Sequence, residues 1–344
     1  MSEQDGKQTN TLQRPTNKDN EAWRKYWIAQ GQPWRTEPEI GIEQKKYLAE
    51  QLGITPDVEQ GIYAFMDVKL SRADVEWLLA TRENGLGPVN WIDGGLKERK
   101  GLDLRGADLQ GVDLSRLPLT GIQGALSWDE WLSASDAKRK TALINLERAE
   151  LSFTHLERAN LREVHLERAN LYGVHLEGAY LYGAHLEGAI LKGAFFDSST
   201  HLGKISFASK KFGVVSLADV RWNDVNLTGV NWGALKELGE EQRAHWQKKH
   251  DGTTGNKERQ LNEYRRAVRA NRQLAYILQG QGLNEEAAYF AYRAQLTQRM
   301  VYWLQRRILK LIFSRFLYLL VGYGYRPLRS LFWYLAMIVG FAIC

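Results

Sequence analysis

The dominant pattern along the chain has a period of five. Leucine recurs at Leu146, Leu151, Leu156, Leu161, Leu166, Leu171, Leu176, Leu181, Leu186 and Leu191, and Phe196 takes the next place. Two residues before each lies a small or β-branched residue: Ile144, Ala149, Thr154, Ala159, Val164, Ala169, Val174, Ala179, Ala184, Ala189 and Ala194. A shorter block precedes it at Leu104, Leu109, Leu114 and Leu119, and a third follows at Leu217, Trp222, Leu227 and Trp232. Five matches neither the 3.6-residue period of a helix nor the two-residue alternation of a strand. It suits a chain that turns a corner every five residues and points one large and one small side chain inward per side. Four such sides close a square coil of about 20 residues, and coils stacked about 4.8 Å apart can pair their backbones. The predicted core is Leu151, Leu156, Leu161, Leu166, Leu171, Leu176, Leu181, Leu186 and Leu191, lined by Ala159, Ala169, Ala179 and Ala189.

The three blocks are out of phase, so something is inserted between them. SWDEWLSASDAKRKTAL (127–143) begins with Ser127 and Glu130 in capping-box spacing, which predicts an inserted helix. DSSTHLGKISFASKKFG (197–213) predicts a looped coil. The repeat region is then 101–232. Residues 1–20 are polar and predict a disordered arm. Residues 21–100 predict a helical or mixed capping domain, with helices over 39–53, ending at Gly53, and over 71–83, starting at a Ser71/Asp74 box. A cap is expected because an open coil edge invites strand pairing.

After the rod, residues 233–322 predict a helical linker, with helices over 256–279 and 284–321 around a Gly-Gln-Gly turn and Asn284 as N-cap. The second helix mixes Arg306, Arg307, Lys310 and Arg315 with Leu, Ile, Phe and Tyr, the composition of a helix lying in a membrane interface. Residues 331–344 carry no charge. That run predicts the start of a transmembrane helix within 323–344, cut short, with Trp333 and Tyr334 at the interface and Arg326 and Arg329 on the cytoplasmic side. The predicted fold class is a mainly β solenoid with an N-terminal helical cap, an inserted helix and a C-terminal helical segment entering the membrane.

Charge sharpens this division. Residues 1–100 and 101–232 each carry 14 basic and 16 acidic groups, net −2, whereas 233–344 carry 18 and 8, net +10. No acidic residue follows Glu286. Such asymmetry points to an anionic neighbour for the C-terminal third alone. One cysteine, Cys344, excludes a disulfide framework and fits a reducing compartment. The N-terminus lacks the apolar stretch of a secretory signal.

The segments ADLQG (107–111), ANLRE (159–163), ANLYG (169–173) and AYLYG (179–183) resemble the pentapeptide-repeat family. The resemblance implies a right-handed quadrilateral β-helix. Some members are acidic rods that mimic DNA and bind topoisomerases; others end in a membrane module similar to a two-helix ion channel. GYGYRPLRSLFWYLAMIVGFA resembles the start of such a module, whose pore would lie beyond Cys344 and could assemble the chain as a homo-oligomer.

Chemistry is sparse. The motifs for a nucleophile elbow, a phosphate loop, a dinucleotide fold and a zinc protease are all missing from the sequence. No catalytic residue and no cofactor are therefore expected. His155, His165, His175 and His185 recur every ten residues in His-Leu-Glu triplets, so stacking should pair His155 with His175 and His165 with His185. They are the one set that could ligate zinc or copper, and the expected alternative is that these outward positions accept any polar residue. The functional expectation is a non-enzymatic scaffold or regulatory domain of a membrane protein. It would sit at the cell membrane with residues 1–330 on the cytoplasmic side, contact an unidentified protein and bind no nucleic acid. The alternative is a soluble or tail-anchored interaction module, including a topoisomerase-binding rod.

Overall fold

A computed structural model describes residues 13–16, 19–85, 87–88, 101–250, 254–324, 331–335 and 337–339. Most of the expected arm, and residues 89–100 of the expected capping domain, lie outside the described residues. The N-terminal part holds α1 (Asn20–Ala29), α2 (Ile42–Leu52) and α3 (Arg72–Gly85). The Glu21 amide donates to the Asp19 carboxylate at 3.0 Å and starts α1. At α3 the Ser71 amide donates to Asp74 at 2.8 Å, and the Asp74 amide donates back to Ser71 Oγ at 3.2 Å. Fully buried Glu76 on α3 accepts from the amides of Thr36 and Glu37 and from Arg72 Nε, at 2.9, 3.0 and 2.8 Å. Those bonds fix the preceding loop to the helix.

This part continues the rod. Lys69 forms a parallel bridge with Asp108, and the Asp67 amide donates to Gly106 O at 3.0 Å. Gly106 has a φ of +76°, and a Cβ there would meet Met66 Cα at 2.8 Å, so only glycine lets the two backbones approach. One side of the first coil's edge is thereby paired.

Single parallel bridges stack the coils. In the central block Asn145, Glu150, His155, Asn160, His165 and His175 pair with His165, Asn170, His175, Tyr180, His185 and Phe195, a spacing of 20. Earlier pairs such as Asp108–Asn145 and Gln123–Asn160 are 37 apart, 17 more than 20. Those 17 residues, 127–143, form α4 (Trp128–Ser133) and α5 (Asp136–Thr141), two short helices where the sequence predicts one. The Ser127/Glu130 box is present. Later pairs are 21 apart (Tyr180–His201) and then 26 apart (Ile190–Ser216). The added residues sit in the turn near Ser199 and in a hairpin of β1 (Ala208–Ser209) and β2 (Gly213–Val214). Each insertion loops outward, and the coil resumes its register.

The C-terminal part closes the other end. Phe196 stacks on Trp222 at 5.4 Å, and Trp232 meets Phe290 edge-on at 5.8 Å. Phe290 lies on α8 (Asn284–Leu304), which pairs with α7 (Thr254–Gly280). Ala270, Leu274, Leu278, Ala287 and Phe290 join the same buried cluster as the leucines of the rod. Polar bonds reinforce the closure: Arg269 holds Asp219 with two bonds of 3.0 Å, and Gln281 donates to Val225 O while accepting from the Leu227 amide. On α6 (Gly239–His250), buried Glu241 accepts from Asn271, Arg293 and Thr297 and ties three helices together. Residues 254–304, expected within a linker, therefore cover the last coil. Leu283, with no side-chain bond, takes the N-cap place expected for Asn284.

Two expectations are corrected. The chain is not mainly β: among the described residues regular structure is helical except for two strands of two residues each. A corner every five residues leaves too few extended residues per side for a ladder, so coils meet through isolated bridges and turns. Nor is a membrane-spanning C-terminal helix seen: among the described residues no helix is long and apolar enough to cross a membrane, and residues 325–330, 336 and 340–344 of the expected segment lie outside the described residues. The helix expected over 284–321 breaks where Arg306 takes a φ of 55°, and α9 (Ile308–Val321) has only 14 residues, below the roughly 20 needed to span.

Leu171 is fully buried between coils. Leu171→Ala is expected to lower unfolding stability by about 2–5 kcal/mol, read by chemical denaturation, through lost burial and the cavity left behind. A change within the error of that measurement would contradict the inward assignment.

Candidate interaction faces

The structure places Leu151, Leu156, Leu161, Leu166, Leu171, Leu176, Leu181, Leu186, Leu191, Ala159, Ala169, Ala179 and Ala189 inside the rod, each at most 1% exposed. The residues that could carry chemistry are on the sides.

The histidines form two columns. His155 stacks on His175 at 4.9 Å and His165 on His185 at 5.1 Å, with rings within 13° of parallel; Phe195 extends the first column at 4.3 Å from His175. Each histidine turns Nδ1 toward the glutamate two residues on, at 2.7 Å (Glu157), 3.0 Å (Glu167), 3.3 Å (Glu177) and 3.6 Å (Glu187). Glu157, Glu167 and Glu187 are buried. Glu157 also accepts from Thr120 Oγ at 2.8 Å, and Glu187 from Ser206 Oγ at 2.7 Å. The expectation that these histidine positions accept any polar residue is revised, because a buried carboxylate needs the partner that the imidazole supplies.

His155–Glu157–His175 and Glu167–His185–Glu187 each gather three ligand-type atoms within 4.8 Å of one another. Zinc would need its ligand atoms all about 2.0–2.2 Å from one point; here each Nδ1 faces a carboxylate, which leaves Nε2 as the free ring nitrogen. The arrangement works as an ion-pair ladder. The hydrogen bond to Glu157 raises the His155 pKa against the opposing effect of burial, and the bond to Glu187 does the same for His185. Burial alone would raise both glutamates, but their hydrogen bonds, His155 and Thr120 for Glu157, His185 and Ser206 for Glu187, bring them below the ordinary carboxyl value.

The C-terminal residues make a different face. Arg306, Arg307, Lys310 and Arg315 are exposed. So are Ile308, Leu309, Ile312, Phe313, Phe316 and Leu319, each more than half. Trp333 and Tyr334 are exposed, and Trp333 Nε1 donates to Leu319 O at 3.0 Å, setting residues near 333 beside α9. Arg326 and Arg329 lie outside the described residues. A further place escaped the sequence reading: a cavity of about 570 Å³ between α4 and the coils, lined by Trp128, Arg162, Tyr180 and Tyr182. Its signal was only a cluster of aromatics at outward repeat positions beside the insertion.

Stacked square coils with paired ends and outward ladders define a repeat-protein rod. The description "pentapeptide repeats" matches residues 144–181 in eight copies. Similar solved structures include the pentapeptide repeat protein Rfr23 from the cyanobacterium Cyanothece 51142, 28% identical over 38% of this chain and 70% of that one, TM-score 0.19. A pentapeptide repeat protein of the Arabidopsis thaliana thylakoid lumen is 20% identical over 46% of this chain and 87% of that one, TM-score 0.24. The plasmid-mediated fluoroquinolone resistance protein QnrB1 is 18% identical over 38% and 76%, TM-score 0.18. No curated protein matches the chain. These comparisons give no support to the expected channel-like module or to truncation.

A histidine held above its ordinary value of 6.5 stabilises the fold in its protonated form. That contribution is complete below pH 6.5 and is lost as pH rises through the elevated folded value. A glutamate held below 4.5 contributes above that value and loses its contribution as pH falls through the depressed one. The histidine–glutamate pairs are therefore expected to contribute most to thermal stability between pH 4.5 and 6.5. In His155→Gln/His185→Gln the alkaline decline should flatten. An identical pH profile in the variant would refute the ladder.

Proposed function

We propose that the chain is a non-enzymatic repeat scaffold, held against an anionic, cytoplasmic membrane surface by α9 and acting by protein contact along the sides of its rod. The observation that carries this reading is α9 itself. Leu309, 84% exposed, and five further apolar side chains face outward among four exposed bases. Removing such a surface from water is favourable at roughly 25 cal/mol per Å². The bases select the neighbour: each near an anionic leaflet contributes about 1 kcal/mol, and no acidic residue after Glu286 opposes them. A helix of 14 residues suits lying in the interface.

Two features support the scaffold part. The repeated positions are filled by symmetry, which leaves no asymmetric constellation of nucleophile and base to perform a reaction. The rod presents continuous lateral faces between two covered ends. The topoisomerase-binding alternative is not favoured, because mimicry of DNA needs outward carboxylates, while Glu157, Glu167 and Glu187 are buried beside histidines.

The full chain is expected to co-sediment with phosphatidylserine-containing vesicles at low salt and to be released as salt screens the charges. Arg306→Gln/Arg307→Gln/Lys310→Gln/Arg315→Gln should remain in the supernatant while keeping the wild-type melting curve. A wild-type chain that stays in the supernatant with anionic vesicles at low salt would sink the membrane reading.

A further inference from the structure

The cavity beside α4 is lined by a buried guanidinium whose donors are not all satisfied. Arg162 is 6% exposed, and its Nε and Nη1 have no hydrogen-bond partner. Its guanidinium lies 4.6 Å from the centre of the Trp128 ring and 6.0 Å from that of Trp131. The adjacent carboxylate, Glu163, accepts from Trp131 Nε1 at 3.0 Å, and its charge offsets only part of what burial costs Arg162. Aromatic faces recover only part of what a guanidinium loses on leaving water. Burial accordingly pulls the Arg162 pKa down. The sequence does not require an arginine here, since the corresponding outward place one coil on is filled by Tyr182, and Gly203 of the next coil packs against that ring.

The lining completes the chemistry. No acidic residue lines the cavity. Trp128, about half exposed, stands at the rim and meets Tyr182 edge-on at 6.3 Å. Lys204 Nζ lies 5.4 Å from the centre of the Tyr182 ring, and His201 stacks on Tyr180 at 4.6 Å. A volume of about 570 Å³ is in the range of small-molecule sites. We propose that this cavity binds a small anion carried on a planar ring, an aryl phosphate or carboxylate of nucleoside-monophosphate size, with the anionic group on Arg162 and the ring among Trp128, Tyr180 and Tyr182. Arg162 supplies parallel N–H donors that suit phosphate and carboxylate. The rings supply stacking that a bare anion cannot use. This site is independent of α9 and of membrane attachment.

Calorimetric titration of the full chain with adenosine monophosphate, phenyl phosphate, adenosine and inorganic phosphate tests it. Saturable binding of the two ring-bearing anions is expected, with adenosine and inorganic phosphate weaker by roughly tenfold or more. Arg162→Gln should weaken the ring-bearing anions by roughly 10–100-fold. Because it removes a buried cation that is only partly compensated, it should also melt no lower than wild type, so lost binding would not reflect unfolding. Trp128→Ala, which keeps the arginine, should reduce the preference for ring-bearing anions over inorganic phosphate. The proposal is overturned if neither ring-bearing anion binds the folded wild type, if Arg162→Gln binds them equally well, or if inorganic phosphate binds as tightly as they do.

Discussion

One constraint governs the molecule: every side of five residues must bury one large and one small side chain while its backbone bonds to the coil above and below. Leu171 and Ala169 illustrate it. Both are fully buried; between them the Asn170 amide donates to Ala149 O of the coil before, and the Leu171 amide donates to Ile190 O of the coil after. Apolar burial and backbone pairing are thus satisfied by the same short segment. A coil of this kind cannot stand alone, because its top and bottom edges would expose unpaired amides and carbonyls. The rest of the architecture answers that requirement.

The two ends meet it differently. At the N-terminal end the segment around Lys69 joins the bridge pattern, so one side of the first coil is covered by backbone. At the C-terminal end the repeat substitutes Trp222 and Trp232 for leucine, and α7 and α8 cover these rings with Phe290, Leu274 and Leu278. Charged groups at the seam are paired, Arg269 with Asp219 and Glu241 with Arg293 and Thr297, while Trp222 Nε1 is buried there without a hydrogen-bond partner. On the sides the rule relaxes, and function can be written there. The histidine columns hold buried glutamates, the insertion raises Trp128 over Arg162, and α9 carries its apolar face clear of the rod.

The inward ladder was legible because a period of five has one geometric solution, and the shifts between blocks are explained by insertions of 17 and then 6 residues beyond the spacing of 20. The helices were legible over 42–52, 72–85 and 254–304, but the covering role of the last was not, since Leu274 and Phe290 read equally well as part of a linker. The break at Arg306 was hidden because its left-handed conformation has no glycine to announce it. The histidine columns were predicted from the 20-residue coil, but the burial of Glu157 and Glu187 depends on contacts with Thr120 and Ser206, which are 37 and 19 residues away. Arg162 was invisible for a related reason: its environment is made by the inserted α4, whose position follows from packing and not from the repeat.

Register, and not the identity of the inserted residues, defines the rod. Removing residues 127–143 changes the spacing of Asp108–Asn145 and Gln123–Asn160 from 37 to 20, the value of the central coils. Removing one residue fewer leaves every side chain after the junction one place out of phase. Thermal unfolding of the two deletion variants, followed by circular dichroism, is the direct measurement. The account expects one cooperative transition for the 17-residue deletion and a markedly lower or broadened one for the 16-residue deletion. Equal melting of the two, or loss of folding in both, would contradict it.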